Sequence, residues 1–309
     1  MYANFTIRKY RLQDFAAYAQ FYQEFSKLYA VTEKDPFEAL SRSLSRPGYL
    51  ASEDLFLAES AGIIIGYINV TAEPGIGRVI FDYLVHPIYR NGSVPGGLID
   101  HALGRARELG ADVVHLNTVA SEPATAELLS NLGFCAVRRF HELRLELSSA
   151  TLETTSRLNL EYRCFEPGQE AMLAQIQNHC FADTWGYNPN TDEEIYWHMS
   201  IKGNRPDDII LAWNEGRLIG YCWTEPNCRD EPSPGKSKGR IYMLGVRPDH
   251  RKRGVGRQLL LAGLSYLAGK GREVIYITVD SQNVAAAALY QSLGFEFHED
   301  TIWYERIMG

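Results

Sequence analysis

The residues with the clearest chemistry lie in one run, Val246-Arg-Pro-Asp-His-Arg-Lys-Arg-Gly-Val-Gly256. An apolar, strand-like segment at 240–246 leads into a glycine-containing turn, and an apolar helical pattern follows from Leu259. Free backbone N–H groups at a helix N-terminus carry partial positive charge and bind anions. Gly254 and Gly256 let the backbone approach a phosphate and form a concave nest of amides around Val255. Arg251, Lys252, Arg253 and Arg257 add positive charge. The chemistry expected is retention of a pyrophosphate or a phosphorylated cofactor. A tight turn with a solvated basic face is the alternative use of the same residues. Neither G-x-G-x-x-G nor G-x-x-x-x-G-K-[ST] occurs in this run, so the dinucleotide and P-loop fingerprints do not apply.

A second segment reads Asn283-Val-Ala-Ala-Ala-Ala-Leu-Tyr290-Gln-Ser-Leu-Gly-Phe295. By itself it gives a helix with Asn283 as N-cap, Tyr290 as a core residue and Gly294 as C-cap. Taken with the first run it resembles a known pattern. Arg251-x-x-Gly254-x-Gly256 after a strand ending in Val246 looks like the [QR]-x-x-G-x-[GA] acyl-CoA motif of the GNAT N-acetyltransferase superfamily. Residues 283–295 resemble that superfamily's second motif, N-x-x-A-x-x-L-Y-x-x-x-G-F, in the right order and one strand later.

The resemblance implies acetyl-CoA as cofactor and direct attack of an amine on a thioester. It implies that the strand through Leu244 and Val246 pairs with the pantetheine arm, and that the Leu244 amide polarises the thioester carbonyl. The amides of Arg253, Gly254, Val255 and Gly256 would hold the pyrophosphate. Asn283 would bond the cofactor arm, and Tyr290 would protonate the leaving thiolate. The acceptor would lie against residues 181–198, which are aromatic and acidic. There Trp185, Tyr187, Trp197 and His198 are pocket candidates, and Glu193 and Glu194 could attract a cationic amine. The alternative makes Thr191-x-x-Glu194 a capping box and Trp197 a core residue. Many members carry an acid on the strand before the cofactor loop. Here residues 240–246 contain none, which leaves Glu225, His198 or a water relay as general base.

These groups must be positioned by a repeated unit. Tyr83-Leu-Val-His-Pro-Ile-Tyr-Arg90 aligns with Leu244-Gly-Val-Arg-Pro-Asp-His-Arg251, an offset of 161 residues (Arg251 against Arg90). The offset holds without a gap to Leu132-Gly-Phe134 against Leu293-Gly-Phe295. An internal duplication follows. The division expected is 1–147, a small polar linker at 148–157, and 158–309. Each half reads as strand, helices, a hairpin, a further strand, helix, strand, helix and final strand. That is an α+β fold of two tandem GNAT-like domains, each a mixed central sheet flanked by helices. The final strands, near 136–147 and 297–308, are expected to complete their own halves. Residues 229–238 form an extra loop. The architecture is similar to that of the mycothiol synthase family.

The first copy departs from the motif. At the same offset Ser93 replaces Gly254, Pro95 replaces Gly256, Glu122 replaces Asn283 and Leu129 replaces Tyr290. A proline removes an N–H donor, and Glu122 puts negative charge near an anion site. Gly96-Gly97 offers a shifted nest. Catalysis is therefore expected only in the second copy.

The 309 residues include 31 Lys and Arg against 38 Asp and Glu, a formal charge of −7, which argues against a general nucleic-acid binder. Cys135, Cys164, Cys180, Cys222 and Cys228 form no C-x-x-C pair and read as reduced thiols, with no metal site expected. No signal peptide and no membrane span are expected. The reading is a cytoplasmic N-acetyltransferase, monomer or homodimer, acting on a small-molecule primary amine. A CoA-binding sensor without turnover, or an aminoacyl transferase using charged tRNA, are the alternatives.

Overall fold

The computed structural model describes residues 4–28, 36–90, 92–148, 160–201, 203–226 and 236–309. Most of the expected linker at 148–157, most of the loop at 229–238, and Cys228 lie outside them. The first half of the chain runs β1 (Thr6–Lys9), α1 (Phe15–Leu28), α2 (Pro36–Ser43), α3 (Ala51–Asp54), β2 (Leu55–Ser60), β3 (Ile63–Glu73), β4 (Arg78–Val85), α4 (Val94–Glu108), β5 (Val113–Val119), α5 (Pro123–Asn131) and β6 (Cys135–Glu146). The second half repeats it as β7 (Glu161–Cys164), α6 (Glu170–Phe181), α7 (Asp192–Ser200), β8 (Ile209–Asn214), β9 (Arg217–Glu225), β10 (Lys238–Val246), α8 (Val255–Gly269), β11 (Val274–Asp280), α9 (Val284–Gln291) and β12 (Glu296–Ile307).

The chain forms two compact units. In the N-terminal unit β1 to β4 form an antiparallel meander, and β5 runs parallel to β4. Both sheet faces are covered. Val94, Leu98, Ala102 and Ala106 of α4, with Leu129 of α5, cover one face over Ile68, Val79 and Phe81. Tyr18, Ala19 and Phe21 of α1, with Leu40, cover the other over Leu57 and Tyr67. The C-terminal unit has the same plan, β7 to β10 antiparallel and β11 parallel to β10. There Leu259, Leu260, Leu264 and Leu267 of α8 pack one face, and Leu173, Ile176 and Cys180 of α6 with Ile195 of α7 pack the other. The apolar spacing along α4 and α8 is the helical period that buries one stripe.

The final strands depart from expectation. Residues 140–146 of β6 pair antiparallel with β11 and belong to the C-terminal unit. Residues 301–307 of β12 pair antiparallel with β5 and belong to the N-terminal unit. Each half of the sequence thus completes the other half's unit. The registers are equivalent: Glu146 faces Val274 as Ile307 faces Val113. The reason is intramolecular strand exchange between similar copies, in which either donor fits either ladder by backbone alone. Side chains select the donor. Leu143 and Leu145 sit in the core of the C-terminal unit, whereas Tyr304 is buried in the N-terminal core and Arg306 donates 2.8 Å to the Leu132 carbonyl.

The Leu-Gly-Phe turns close both short helices alike. Gly133 and Gly294 have φ of 79° and 89°, the left-handed region that favours glycine. Phe134 and Phe295 N–H then bond back to the Leu129 and Tyr290 carbonyls, at 2.9 and 3.2 Å.

Candidate active site

In the C-terminal unit the parallel ladder between β10 and β11 stops early. Residues 238–241 pair with 274–277, yet β10 continues to Val246 and β11 to Asp280. Beyond Ile241 the two backbones separate into a wedge. On its other side β10 is bulged against β9 between Ile241 and Met243, which re-aims the strand at Tyr242. Leu244 and Val246 therefore lie on the separated stretch, where their peptide groups are available to an extended ligand.

The wedge leads into the cradle. Arg247 to His250 make a short turn, and α8 begins at Val255. Gly254 is its N-cap with φ 86°, and Lys252 is also left-handed at φ 59°. Gln258 N–H bonds the Gly254 carbonyl at 3.1 Å, so the amides of Val255, Gly256 and Arg257 precede the helical ladder and lack internal acceptors. A Cβ on Gly256 would make only ordinary contacts, 3.5 Å to Leu289 and 3.6 Å to Val246. Packing within the protein does not require glycine there.

The four cations divide. Arg251 donates from Nε to the Val246 carbonyl at 3.1 Å and from Nη2 to the Cys180 carbonyl at 2.6 Å. Arg257 donates to Ser292 Oγ at 3.0 Å. Arg251 thus braces the loop, and Arg257 ties α8 to the turn after α9. Lys252 and Arg253 are exposed, with no partner among the described residues. They are the two side chains free to meet phosphates.

Tyr290 lies on α9, 6% exposed, with its ring 5.9 Å from Phe295. Burial pushes its hydroxyl pKa well up, so the phenol keeps its proton at neutral pH. Asn283 caps α9, its side chain accepting from Ala286 N–H at 3.1 Å. Its amide nitrogen is left for a second partner.

On the other face of the sheet stands an aromatic cluster. The His198 ring lies 4.9 Å from Trp197, 6.0 Å from Trp223 and 6.3 Å from Tyr242. Trp185 lies 6.2 Å from Phe140, a residue of the exchanged strand. Glu225, at the end of β9, faces Arg240 across the ladder. Two of the acceptor candidates are otherwise committed. Tyr187 stacks on Phe181 at 5.4 Å and donates to Asn178 Oδ1 at 2.8 Å, and burial pushes its pKa up to about 12. Glu194 closes a capping box with Thr191: Thr191 N–H donates to Glu194 Oε2 at 2.9 Å, and Glu194 N–H to Thr191 Oγ1 at 3.1 Å. Its carboxylate caps the helix. Thr191→Ala is expected to cost about 1 kcal/mol in denaturant melts, with the acceptor KM unchanged.

The sequence reading missed Arg240 and Glu142. Arg240 Nη2 donates to Glu142 Oε1 at 2.6 Å, and Nη1 to Thr278 Oγ1 at 3.1 Å. The strand before the cofactor loop carries no acid, yet a carboxylate reaches it from residues 140–146. No pattern in the sequence links positions 98 apart.

The N-terminal unit keeps the wedge and lacks the cradle. Residues 78–81 of β4 pair with 113–116 of β5, and both strands then run on separately. Among the described residues of 86–97 none is left-handed. Gly96 and Gly97 lie inside α4, where a Cβ on Gly97 would meet Ile7 at 2.8 Å, so they form no shifted nest. Arg90 Nη1 is paired with Glu122 at 3.3 Å.

The model of the acetyltransferase (GNAT) family matches residues 18–134 and again 171–295. The mycothiol acetyltransferase of Paenarthrobacter aurescens is 30% identical over 77% of this chain and 73% of that protein. The one from Amycolatopsis mediterranei is 30% identical over 90% of this chain and 93% of its own length. Among solved structures, a GCN5-related N-acetyltransferase from Sphaerobacter thermophilus superposes with TM-score 0.71 at 20% identity, over 98% of this chain and 95% of that one. A tandem GNAT protein from the clavulanic acid biosynthesis pathway gives 0.72 at 15% identity, over 99% of both.

Proposed function

From the premise that the chain belongs to the acetyltransferase (GNAT) family, we propose that its C-terminal unit holds the catalytic site and acetylates a primary amine of a small molecule. The activity itself is N-acetyl transfer from acetyl-CoA. The observation that carries the assignment to one unit is Gly254 at φ 86°, with the uncommitted amides after it, against Pro95 and the Arg90–Glu122 pair in the other copy. The C-terminal residues fit the cofactor: an open wedge for an extended arm, then free amides at a 15-residue helix beside Lys252 and Arg253.

When bound, acetyl-CoA supplies the acetyl group as a reactive thioester. Val255, Gly256 and Arg257 N–H groups, with Lys252 and Arg253, hold the pyrophosphate. Leu244 and Val246 offer backbone groups to the arm, and the Asn283 amide adds a donor. Tyr290 Oη holds a proton for the departing sulfur; burial keeps that proton in place across the neutral range. Trp185, Trp197, Trp223 and Tyr242 frame the acceptor and exclude water from it. Glu225 or His198 accepts the amine proton, directly or through a water. In this reading the enzyme is cytoplasmic, a monomer or homodimer. Among the described residues no helix is long and apolar enough to cross a membrane.

Calorimetric titration with acetyl-CoA is the test. One site per chain is expected, abolished by Gly254→Val. Two sites would mean that the first copy binds acetyl-CoA despite Pro95. No binding by folded protein would remove the assignment.

A further inference from the structure

The last turn of α6 meets the cofactor elements twice. Cys180 stands over Gly245, between Leu244 and Val246 of the wedge strand. A Cβ on Gly245 would lie 3.1 Å from Cys180 Cβ and 2.5 Å from Tyr221 Cε1, so helix end and strand are in close contact. The second meeting is polar: Arg251 Nη2 donates to the Cys180 carbonyl at 2.6 Å. That carbonyl is one of the last four of α6, which have no partner inside the helix. A cation at a helix C-terminus is favourable. Arg251 thus caps α6 from the turn that carries Lys252, Arg253 and Gly254. In the other copy its counterpart, Arg90, is paired with Glu122.

The same turn holds the segment between α6 and α7. Asn178 Oδ1 accepts from Tyr187 Oη and from Asn190 N–H, both at 2.8 Å, and Asn178 Nδ2 donates to the Asn190 carbonyl at 2.9 Å. Gln177, fully buried, accepts from Asn190 Nδ2 at 2.7 Å. Residues 182–190 have no helix or strand of their own. Within the loop, Thr184 N–H bonds the Phe181 carbonyl at 2.8 Å and Tyr187 N–H the Thr184 carbonyl at 3.2 Å. A segment with so little internal bonding opens at low free energy unless something outside it holds it closed. Asn178 is that clasp. The loop it closes carries Trp185, whose ring lies 6.2 Å from Phe140 on the acceptor side of the sheet.

We propose that Asn178 is a positioning residue for the acceptor side, and that the last turn of α6 carries occupancy of the cradle to residues 182–190. This role rests on the catalytic reading of the C-terminal unit. Phosphates held by Lys252, Arg253 and the amides after Gly254 fix the turn that bears Arg251. Arg251 then holds the Cys180 carbonyl more constantly, the end of α6 frays less, and Asn178 stays in place to clasp Asn190. Coupling between two sites needs a contiguous element whose equilibrium both can bias. Here Arg251, Cys180, Asn178 and Asn190 supply one, and all belong to the C-terminal unit.

Amide hydrogen exchange of the full-length protein, with and without saturating acetyl-CoA, tests this. Peptides covering 252–258 report the cradle. Peptides covering 182–189 report the loop through Thr184 and Tyr187 N–H, whose acceptors Asn178 does not supply. In the parent, acetyl-CoA should slow exchange in both, the loop by about fivefold or more. In Asn178→Ala the cradle should still respond, which also shows that the variant is folded, and the loop should exchange at one rate with or without acetyl-CoA. Asn178→Asp keeps both acceptor bonds and should keep the loop's response. Because coupling is reciprocal, acetyl-CoA affinity of Asn178→Ala should fall by no more than the factor lost in the loop. A merely structural Asn178 would speed loop exchange equally in both states and leave the ratio intact. That result, or a parent loop that ignores acetyl-CoA while the cradle responds, would overturn the proposal. No response at 252–258 in the parent would instead remove the cofactor reading, and the proposal with it.

Discussion

A Tyr290→Phe variant is expected to lose turnover by roughly 10²-fold or more, with no change in acetyl-CoA affinity. The substitution deletes only Oη. That oxygen has no hydrogen-bond partner among the described residues, so its removal leaves no orphaned group and should not lower the melting temperature. The ring still packs against Phe295 and still fills its place behind α8. A purely structural tyrosine would therefore tolerate Phe at full activity, whereas a proton donor would not. Because burial raises its pKa, the parent should show no loss of activity attributable to Tyr290 up to pH 9. Steady-state kinetics decide the matter. Unchanged kcat would remove Tyr290 from the mechanism, and an equal loss in binding would make it part of the cofactor's seat.

The second large effect concerns the exchanged strands. A fragment of residues 158–309 is expected to lose its cooperative melting transition. It lacks residues 140–146, and with them Leu143 and Leu145 from the core and the ladder along β11. Two buried leucines are worth roughly 1.5–3 kcal/mol each in burial alone, set against a typical total of about 5–15 kcal/mol for a domain. The fragment does carry a candidate replacement, residues 301–307. In the same register these would put Arg306 at the buried Leu145 position and Trp303 at Glu142, the partner of Arg240. Burying a guanidinium among leucines without a carboxylate is unfavourable. A fragment that starts at residue 136 should regain the transition, as should the short one given a peptide of residues 136–148. Circular dichroism melts test this. If the 158–309 fragment melts like the intact chain, the exchange is dispensable.

The cradle was legible because its signal is local. Arg251-x-x-Gly254-x-Gly256 after a strand fixes a turn, a left-handed glycine and free amides within six residues, and these are where the motif puts them. The duplication was legible for a related reason, since a constant offset survives when individual residues do not. The acceptor side was less so. Glu194 and Tyr187 are the right types for a pocket, and the structure gives the first a cap and the second a bond to Asn178 that residue type alone did not indicate. Residue type does not say which partner a polar group takes. The exchange was illegible by alternation and apolarity: both final strands present the same period and fit the same register. What distinguishes them is whether Leu145 or Arg306 suits a particular core, which needs the packed structure.

The exchange also bears on inheritance. Either copy of a duplicated unit that closed its own sheet could be deleted without harm to the other. Here residues 140–146 belong to the unit that keeps the cradle, and residues 300–309 to the unit that lost it. Deleting the first half of the gene would strip the second of its closing strand. Any constraint on the C-terminal unit therefore extends to residues 140–146, which the first half of the sequence encodes.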